Sequence, residues 1–170
     1  MVEISPVTES DRTTWEALAR AADTHFGTTR ADEAYERTWR RLMDDDRIHG
    51  VKATLNGKAV GMANYLFHTS VWYSDKCYLA DLYVIPEARR QGIATTMLQW
   101  LAKNAEDHGH PSLYWNTLED SPARKLYDKL AKHHKGLIHY AYRRDTQPIG
   151  DHKQAQDNVV AHLTDTGPTD

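Results

Sequence analysis

A chain of 170 residues has the length of one domain and can bury a core of its own. Its 21 basic and 24 acidic side chains leave a formal charge of −3, so no global field draws it to nucleic acid or to an anionic membrane. One cysteine, Cys77, excludes an internal disulfide and any multi-cysteine metal site.

No apolar run approaches a membrane span, and Met1-Val-Glu-Ile-Ser-Pro lacks a basic-then-apolar signal pattern, so the expected location is cytoplasmic. Val2 to Val7 reads as a short first strand, and Pro6 marks it as an edge. Thr8 or Ser10 is placed to cap a helix with Trp15, Leu18, Ala19 and Ala22 on one face, broken by the run from Asp23 to Thr29. A second helix from about Ala31 to Met43 sets Tyr35, Trp39, Leu42 and Met43 on one side. Asp44-Asp45-Asp46 reads as a solvated turn. Ile48 to Leu55 and Lys58 to His68 flank Asn56-Gly57, a strong signal for a two-residue hairpin. The connection that follows, Thr69 to Lys76, carries Trp72 and Tyr73, which either wall a pocket or cover the sheet edge.

Cys77 to Ile85 is almost continuously apolar or aromatic, as a strand covered on both faces reads, and Pro86 ends it. From Gly92 a helical period takes over through Ile93, Met97, Leu98, Leu101 and Ala105. Between strand and helix lies Arg89-Arg90-Gln91-Gly92-Ile93-Ala94. Its small residues, the free amides of a helix start and two arginines make an anion-binding junction. The same turn also reads as an ordinary strand-to-helix connection with two solvated arginines. Asp81 is a carboxylate inside the apolar run, costly there unless paired or functional. Cys77 itself reads as a buried, inert thiol.

His108-Gly109-His110-Pro111 stops the helix; with no further ligand at metal spacing, the two histidines read as a helix terminus, and no metal is expected. Leu113 to Thr117 is the next strand. Pro122 falls in the first turn of a helix whose Ala123, Leu126, Tyr127 and Leu130 share a face. Leu137 to Arg143 alternates as a last strand. From Asp145 to Asp170 five aspartates and one lysine give −4, a polar tail with a short helix expected over 152–163.

The run Tyr78-Leu-Ala-Asp-Leu-Tyr-Val, Pro86 and Arg89-x-x-Gly92-x-Ala94 resembles the acetyl-CoA-binding motif of the GNAT superfamily of N-acyltransferases. Leu113-Tyr-Trp-Asn-Thr, followed by Ala123-Arg-Lys-Leu-Tyr127, resembles the next strand and the helix bearing that family's tyrosine. The two motifs stand in family order, and the likeness extends from about Val60 to about Tyr142. Within the superfamily, Val60-Gly-Met-Ala-Asn-Tyr-Leu-Phe-His, Trp72 and Tyr78 to Val84 resemble the diamine (spermidine/spermine) acetyltransferase branch and its amino-acid-acetylating relatives.

The resemblance implies an α/β fold, α+β in its layering: a mixed, mostly antiparallel sheet splayed at its central strands and flanked by helices. It places the catalytic domain at 1–144 and the tail at 145–170, and implies a homodimer. It implies acetyl-CoA as co-substrate, with the pyrophosphate on the amides of Arg89, Arg90, Gln91, Gly92, Ile93, Ala94 and Thr95. The pantetheine arm would run beside Leu82, Tyr83 and Val84, with a further coenzyme contact at Asp120, where the family commonly has asparagine. Tyr127 matches the proton donor to the departing thiolate. Asp81 is the first candidate base, directly or through water, and a substrate contact; His68 is the second. His25, Phe26 and Trp72 are candidate residues of the acceptor pocket.

The activity implied is acetyl transfer to the primary amine of a small molecule, an amino acid or a mono- or diamine, by direct attack on the thioester. The diamine branch has a glutamate where this chain has Ala80, and an acidic residue aligning with Ser70. Both losses favour a mono-amine or amino acid over spermidine. Alternatives are a polyamine acetyltransferase, a protein or peptide lysine acetyltransferase, and a non-catalytic acyl-CoA-binding module. A nucleotide-phosphate binder is disfavoured by the lack of a Gly-x-x-x-x-Gly-Lys loop.

Overall fold

In the computed structural model, residues 1–136 and Ile138 are described. Strands β1 (Val2–Pro6), β2 (Ile48–Leu55), β3 (Lys58–His68), β4 (Lys76–Val84) and β5 (Ser112–Tyr114) form one sheet in sequence order. The first three pairings are antiparallel and β4–β5 is parallel, giving the mixed, mostly antiparallel sheet expected. Pro6 lies on the edge strand, where its missing donor leaves the ladder intact. The hairpin between β2 and β3 turns at Asn56 (φ 51°) and Gly57 (φ 79°). Two positive φ values in a row match the twist of the flanking strands.

The helices are α1 (Arg12–His25), α2 (Asp32–Asp44), α3 (Ile93–Asp107) and α4 (Arg124–Leu130). Residues 1–24 and 29–116, which hold the whole sheet and most of three helices, form one unit; residues 25–28 and 117 onward form a second. The expected apolar stripes are buried: Trp15, Leu18, Ala19 and Ala22 on α1, Tyr35, Trp39 and Leu42 on α2, and Ile93, Met97, Leu98, Leu101 and Ala105 on α3.

Four expectations change. Helix α1 continues through Asp23 and Thr24 to His25 rather than breaking at Asp23. The reason is a tertiary partner set: buried Asp23 pairs with Arg30 and accepts a hydrogen bond from Tyr35 Oη at 2.5 Å, so its carboxylate is satisfied by side chains and does not compete for the helix backbone. Strand β4 is not covered on both faces, because Ala80 and Asp81 are exposed. Strand β5 is three residues long and stops at Tyr114. Helix α4 starts after Pro122, and none of its side chains is fully buried. The strand expected at Leu137 to Arg143 and the helix expected over 152–163 lie outside the described residues.

Cys77 is fully buried, and desolvation pushes its thiol up to about 12, so it stays protonated and inert. His108 and His110 both stack on Phe67, with ring centroids at 5.6 and 4.3 Å. His49, on β2, stacks on the opposing Tyr65 at 5.2 Å and meets Phe67 at a tilt of 57° with centroids 4.9 Å apart. Its Nε2 is buried without a hydrogen-bond partner among the described residues.

Burial lowers the pKa of His49 below the ordinary 6.5; a bond to the Asp46 backbone opposes this, and His108 reinforces it. The folded state therefore binds fewer protons than the unfolded chain once the pH drops below 6.5. Stability contributed by neutral His49 is present above that pH and lost as the pH falls towards the depressed value. Thermal denaturation from pH 8 downward should show Tm falling faster below about pH 6.5, and His49→Phe should flatten that slope.

Candidate functional site

The parallel pairing of β5 with β4 covers only Lys76 to Tyr78. Beyond Tyr78, β4 continues for six residues to Val84 with β3 alongside and no described strand on its other edge. The direction of its polar groups follows from three contacts. Ile85 N–H donates to Val60 O at 2.9 Å, and the Tyr83 carbonyl oxygen lies so close to Gly61 that an added Cβ would meet it at 2.9 Å. Val84 O, by contrast, accepts from Arg89 Nε at 2.9 Å. Strand alternation then turns the N–H and C=O groups of Leu82 and Val84 to the open edge.

The chain leaves β4 through one 3₁₀ turn, Pro86–Ala88, and reaches α3 through Arg89 to Gly92. Arg90 (φ 58°) and Gly92 (φ 79°) are left-handed, and a Cβ added at Gly92 would meet no atom within 4 Å. The Arg89 N–H donates to Pro86 O at 3.2 Å, so the stretch whose amides could meet a ligand begins at Arg90. The first helical bond of α3 runs from Thr96 N to Gly92 O at 3.0 Å. Ile93, Ala94 and Thr95 therefore sit in the first turn, where amides lack intrahelical acceptors and the helix dipole is positive. Arg89 is held by the Val84 carbonyl and lies 5.7 Å from the Tyr83 ring, while Arg90 and Gln91 are exposed. The residues fit a phosphate-bearing, extended ligand: an open strand edge leads into an anion-binding helix start.

Asp81 stands where the edge opens. It pairs in register with Asn64, and the register shifts between Asn64 and Tyr65, so that Ala80 is an extra, bulged residue. The bulge turns Ala80 and Asp81 to solvent together. Asp81 Oδ2 accepts from Asn64 Nδ2 at 3.1 Å, and Asn64 Oδ1 accepts from Trp15 Nε1 at 3.1 Å. Sequence reading missed both partners. The only signal was an asparagine in an otherwise apolar strand, and its contact with Trp15 spans 49 positions.

His68 and Trp72 are not brought to Asp81. His68 pairs with Lys76, at the closed end of β4. Its Nδ1 donates to Thr69 O at 3.0 Å, and its Nε2 lies 3.0 Å from Tyr114 Oη. Trp72 is 87% exposed in the β3–β4 connection, between equally open Val71 and Tyr73.

In the second unit, His25 and Phe26 meet edge to face at 4.9 Å. Asp120 is exposed in the turn before α4. Tyr127 is half-buried on α4, and burial raises its pKa above the ordinary 10.0. It is a neutral phenol at physiological pH, the form that can give a proton. Among the described residues no three histidine, cysteine or carboxylate side chains cluster as a metal site, and no helix is long and apolar enough to cross a membrane.

Residues 14–131 match the acetyltransferase (GNAT) family. The chain belongs to that family and is an N-acetyltransferase. It is 28% identical over 135 residues to the D-amino-acid N-acetyltransferase HPA3 of Saccharomyces cerevisiae, covering 76% of this chain and 84% of that enzyme. To the thialysine N-epsilon-acetyltransferase of Caenorhabditis elegans it is 32% identical over 90 residues, 52% of this chain and 56% of that enzyme. The fold is shared with AAC(6')-Iy in complex with the bisubstrate analogue CoA-S-monomethyl-acetylneamine, at a TM-score of 0.74 and 18% identity over 85% of this chain and 99% of that one. It is shared too with a ribosomal-protein-alanine N-acetyltransferase from Brucella melitensis, at a TM-score of 0.68 and 22% identity over 85% and 100% of the two chains.

Proposed function

We propose that this chain acetylates the primary amine of a small amino acid or mono-amine, using acetyl-CoA and no metal. The observation that carries the reading is the open edge of β4 running into the left-handed turn and first helical turn at Arg89 to Thr95. When bound, the coenzyme supplies the activated acetyl thioester. The Arg89 N–H is taken by Pro86 O, so the Arg89 side chain and the amides of Arg90 to Thr95 would hold its phosphates, and Leu82, Tyr83 and Val84 would align its arm by strand-like pairing. The Val84 N–H, turned to the open edge, would be the donor for the negative charge that develops on the carbonyl oxygen. Asp81 takes the proton that an alkylammonium must lose before attack, and Tyr127 gives one to the departing thiolate. Asp120, His25 and Phe26 are the further coenzyme and acceptor contacts carried over from the resemblance, which also suggests a homodimer; the cytoplasmic setting rests on the lack of a signal pattern in the sequence.

The choice of acceptor rests on the bulge. A glutamate at position 80 would stand beside Asp81 on the same exposed face and double its negative charge; Ala80 leaves one carboxylate, suited to one cationic amine. The relatives named for D-amino acids and thialysine agree with amino-acid acceptors. The test is thiol release from acetyl-CoA over D- and L-amino acids, thialysine, spermidine and a histone-tail peptide. Turnover of spermidine alone would refute the preference. Tight coenzyme binding without turnover of any amine would favour the non-catalytic module.

Binding is checked separately at Gly92, whose φ of 79° costs about 1–2 kcal/mol for a residue with a Cβ. Gly92→Ala should raise the Kd for coenzyme A about tenfold by calorimetry; an unchanged Kd would remove the turn from the site.

A further inference from the structure

Asn64 is 7% exposed and Trp15 2%, so each polar group they carry needs a partner within the protein. An indole N–H can only donate. It therefore takes the amide oxygen of Asn64 and leaves the amide nitrogen, a pure donor, for Asp81 Oδ2. Reversing the amide would set donor against donor at Trp15 and acceptor against carboxylate at Asp81. The direction of the chain Trp15 to Asn64 to Asp81 is thus fixed from its buried end.

Two features hold that end rigid. Trp15 packs on Trp39 of α2 with centroids 5.3 Å apart, which ties the indole to the two-helix layer. Gly50 pairs with Asn64 across the β2–β3 ladder, and a Cβ there would press on Asn64 Oδ1 at 3.3 Å and on Val7 at 2.9 Å. The glycine leaves the amide the room it uses.

We infer that Asn64, oriented by Trp15, is a positioning residue that presents Asp81 as a proton acceptor with Oδ2 engaged and Oδ1 turned to the acceptor amine. This rests on the reading of Asp81 as the base. The relay also gives the bulge at Ala80 a purpose. It lets Asp81 point out of the sheet while its register partner stays buried and holds it.

The test uses full-length protein, acetyl-CoA and thialysine, or a D-amino acid if thialysine is not turned over. Asn64→Leu should lower kcat about 10- to 100-fold, the scale of a misplaced catalytic group, with KM for acetyl-CoA unchanged. In an Asp81→Ala background the same substitution should cost nothing further. Trp15→Phe, which keeps one aromatic ring in the packed site and removes the donor, should lower kcat in the same direction and serves if Asn64→Leu does not fold. In the free protein, Asp81→Ala should move the Trp15 indole N–H resonance, whereas Ala80→Ser should not.

A multiplicative loss in the Asp81→Ala background, an unchanged kcat in Trp15→Phe, or an unmoved indole resonance would overturn the inference. If Asp81→Ala leaves kcat intact, it is the assignment of the base that fails. If Asp81→Ala is slow and Asn64→Leu is as fast as the parent, only the relay fails.

Discussion

Tyr127→Phe should lower kcat about 100-fold while the Kd for coenzyme A stays within twofold of the parent. The substitution removes one oxygen from a half-buried ring on α4 and keeps its packing, so the loss reads the hydroxyl alone. A thiol's ordinary pKa of about 8.5 lies below a phenol's of about 10. If Tyr127 is the donor, acidity does not drive its proton to the leaving sulfur, and an oriented hydrogen bond would have to deliver it as charge builds there. Burial raises the pKa of Tyr127 further, which keeps its proton in place at every pH where the protein is ordinarily assayed. Ionisation of Tyr127 should accordingly impose no alkaline loss of kcat below about pH 10. A hundredfold loss corresponds to about 2.7 kcal/mol of transition-state stabilisation. A kcat within threefold of the parent would show that the thiolate leaves without help from this residue.

The second large effect is expected at Asp81. Asp81→Asn keeps the size and shape of the side chain and removes its ability to accept a proton, so kcat/KM for the amine should fall about 100-fold at pH 7. The deficit should shrink as the pH rises. An alkylamine with a pKa near 10.4 gains about tenfold in free base for each pH unit below that value, and free base needs no acceptor. Rate profiles of parent and variant from pH 7 to 9.5 should therefore converge. Parallel profiles would mean that Asp81 orients the amine without taking its proton. On the proposed roles the two variants separate the two proton transfers, since one would remove a donor at the leaving group and the other an acceptor at the nucleophile.

Much of the catalytic frame was readable from residue order because it depends on local chemistry. Asn56-Gly57 supplies two residues tolerant of positive φ, and the hairpin turns there. Gly92 ends the approach to α3 in the left-handed region, as a small residue before a helical period suggests. The stripes of α1, α2 and α3 follow from their spacing, and all but Met43 of the residues assigned to them are buried. Other features were invisible because they depend on partners far along the chain. Asp23 looked like a helix breaker until Arg30 and Tyr35 surrounded it. The apolar run at Cys77 to Ile85, broken only by Asp81, concealed a bulge, because inserting one residue changes which face a side chain takes without changing composition.

By itself the order of residues determined the strand, turn and helix that carry the anion-binding junction, and the motif that marks the family, since hydrophobic period, turn residues and helix starts act over a few positions. Only the tertiary structure decided which edge of β4 is open, that Asp81 faces outward, that Tyr114 meets His68, and that Trp15 and Asn64 hold the carboxylate. Those outcomes depend on strand register and on hydrogen bonds between segments tens of residues apart, which are set when the sheet and helices pack.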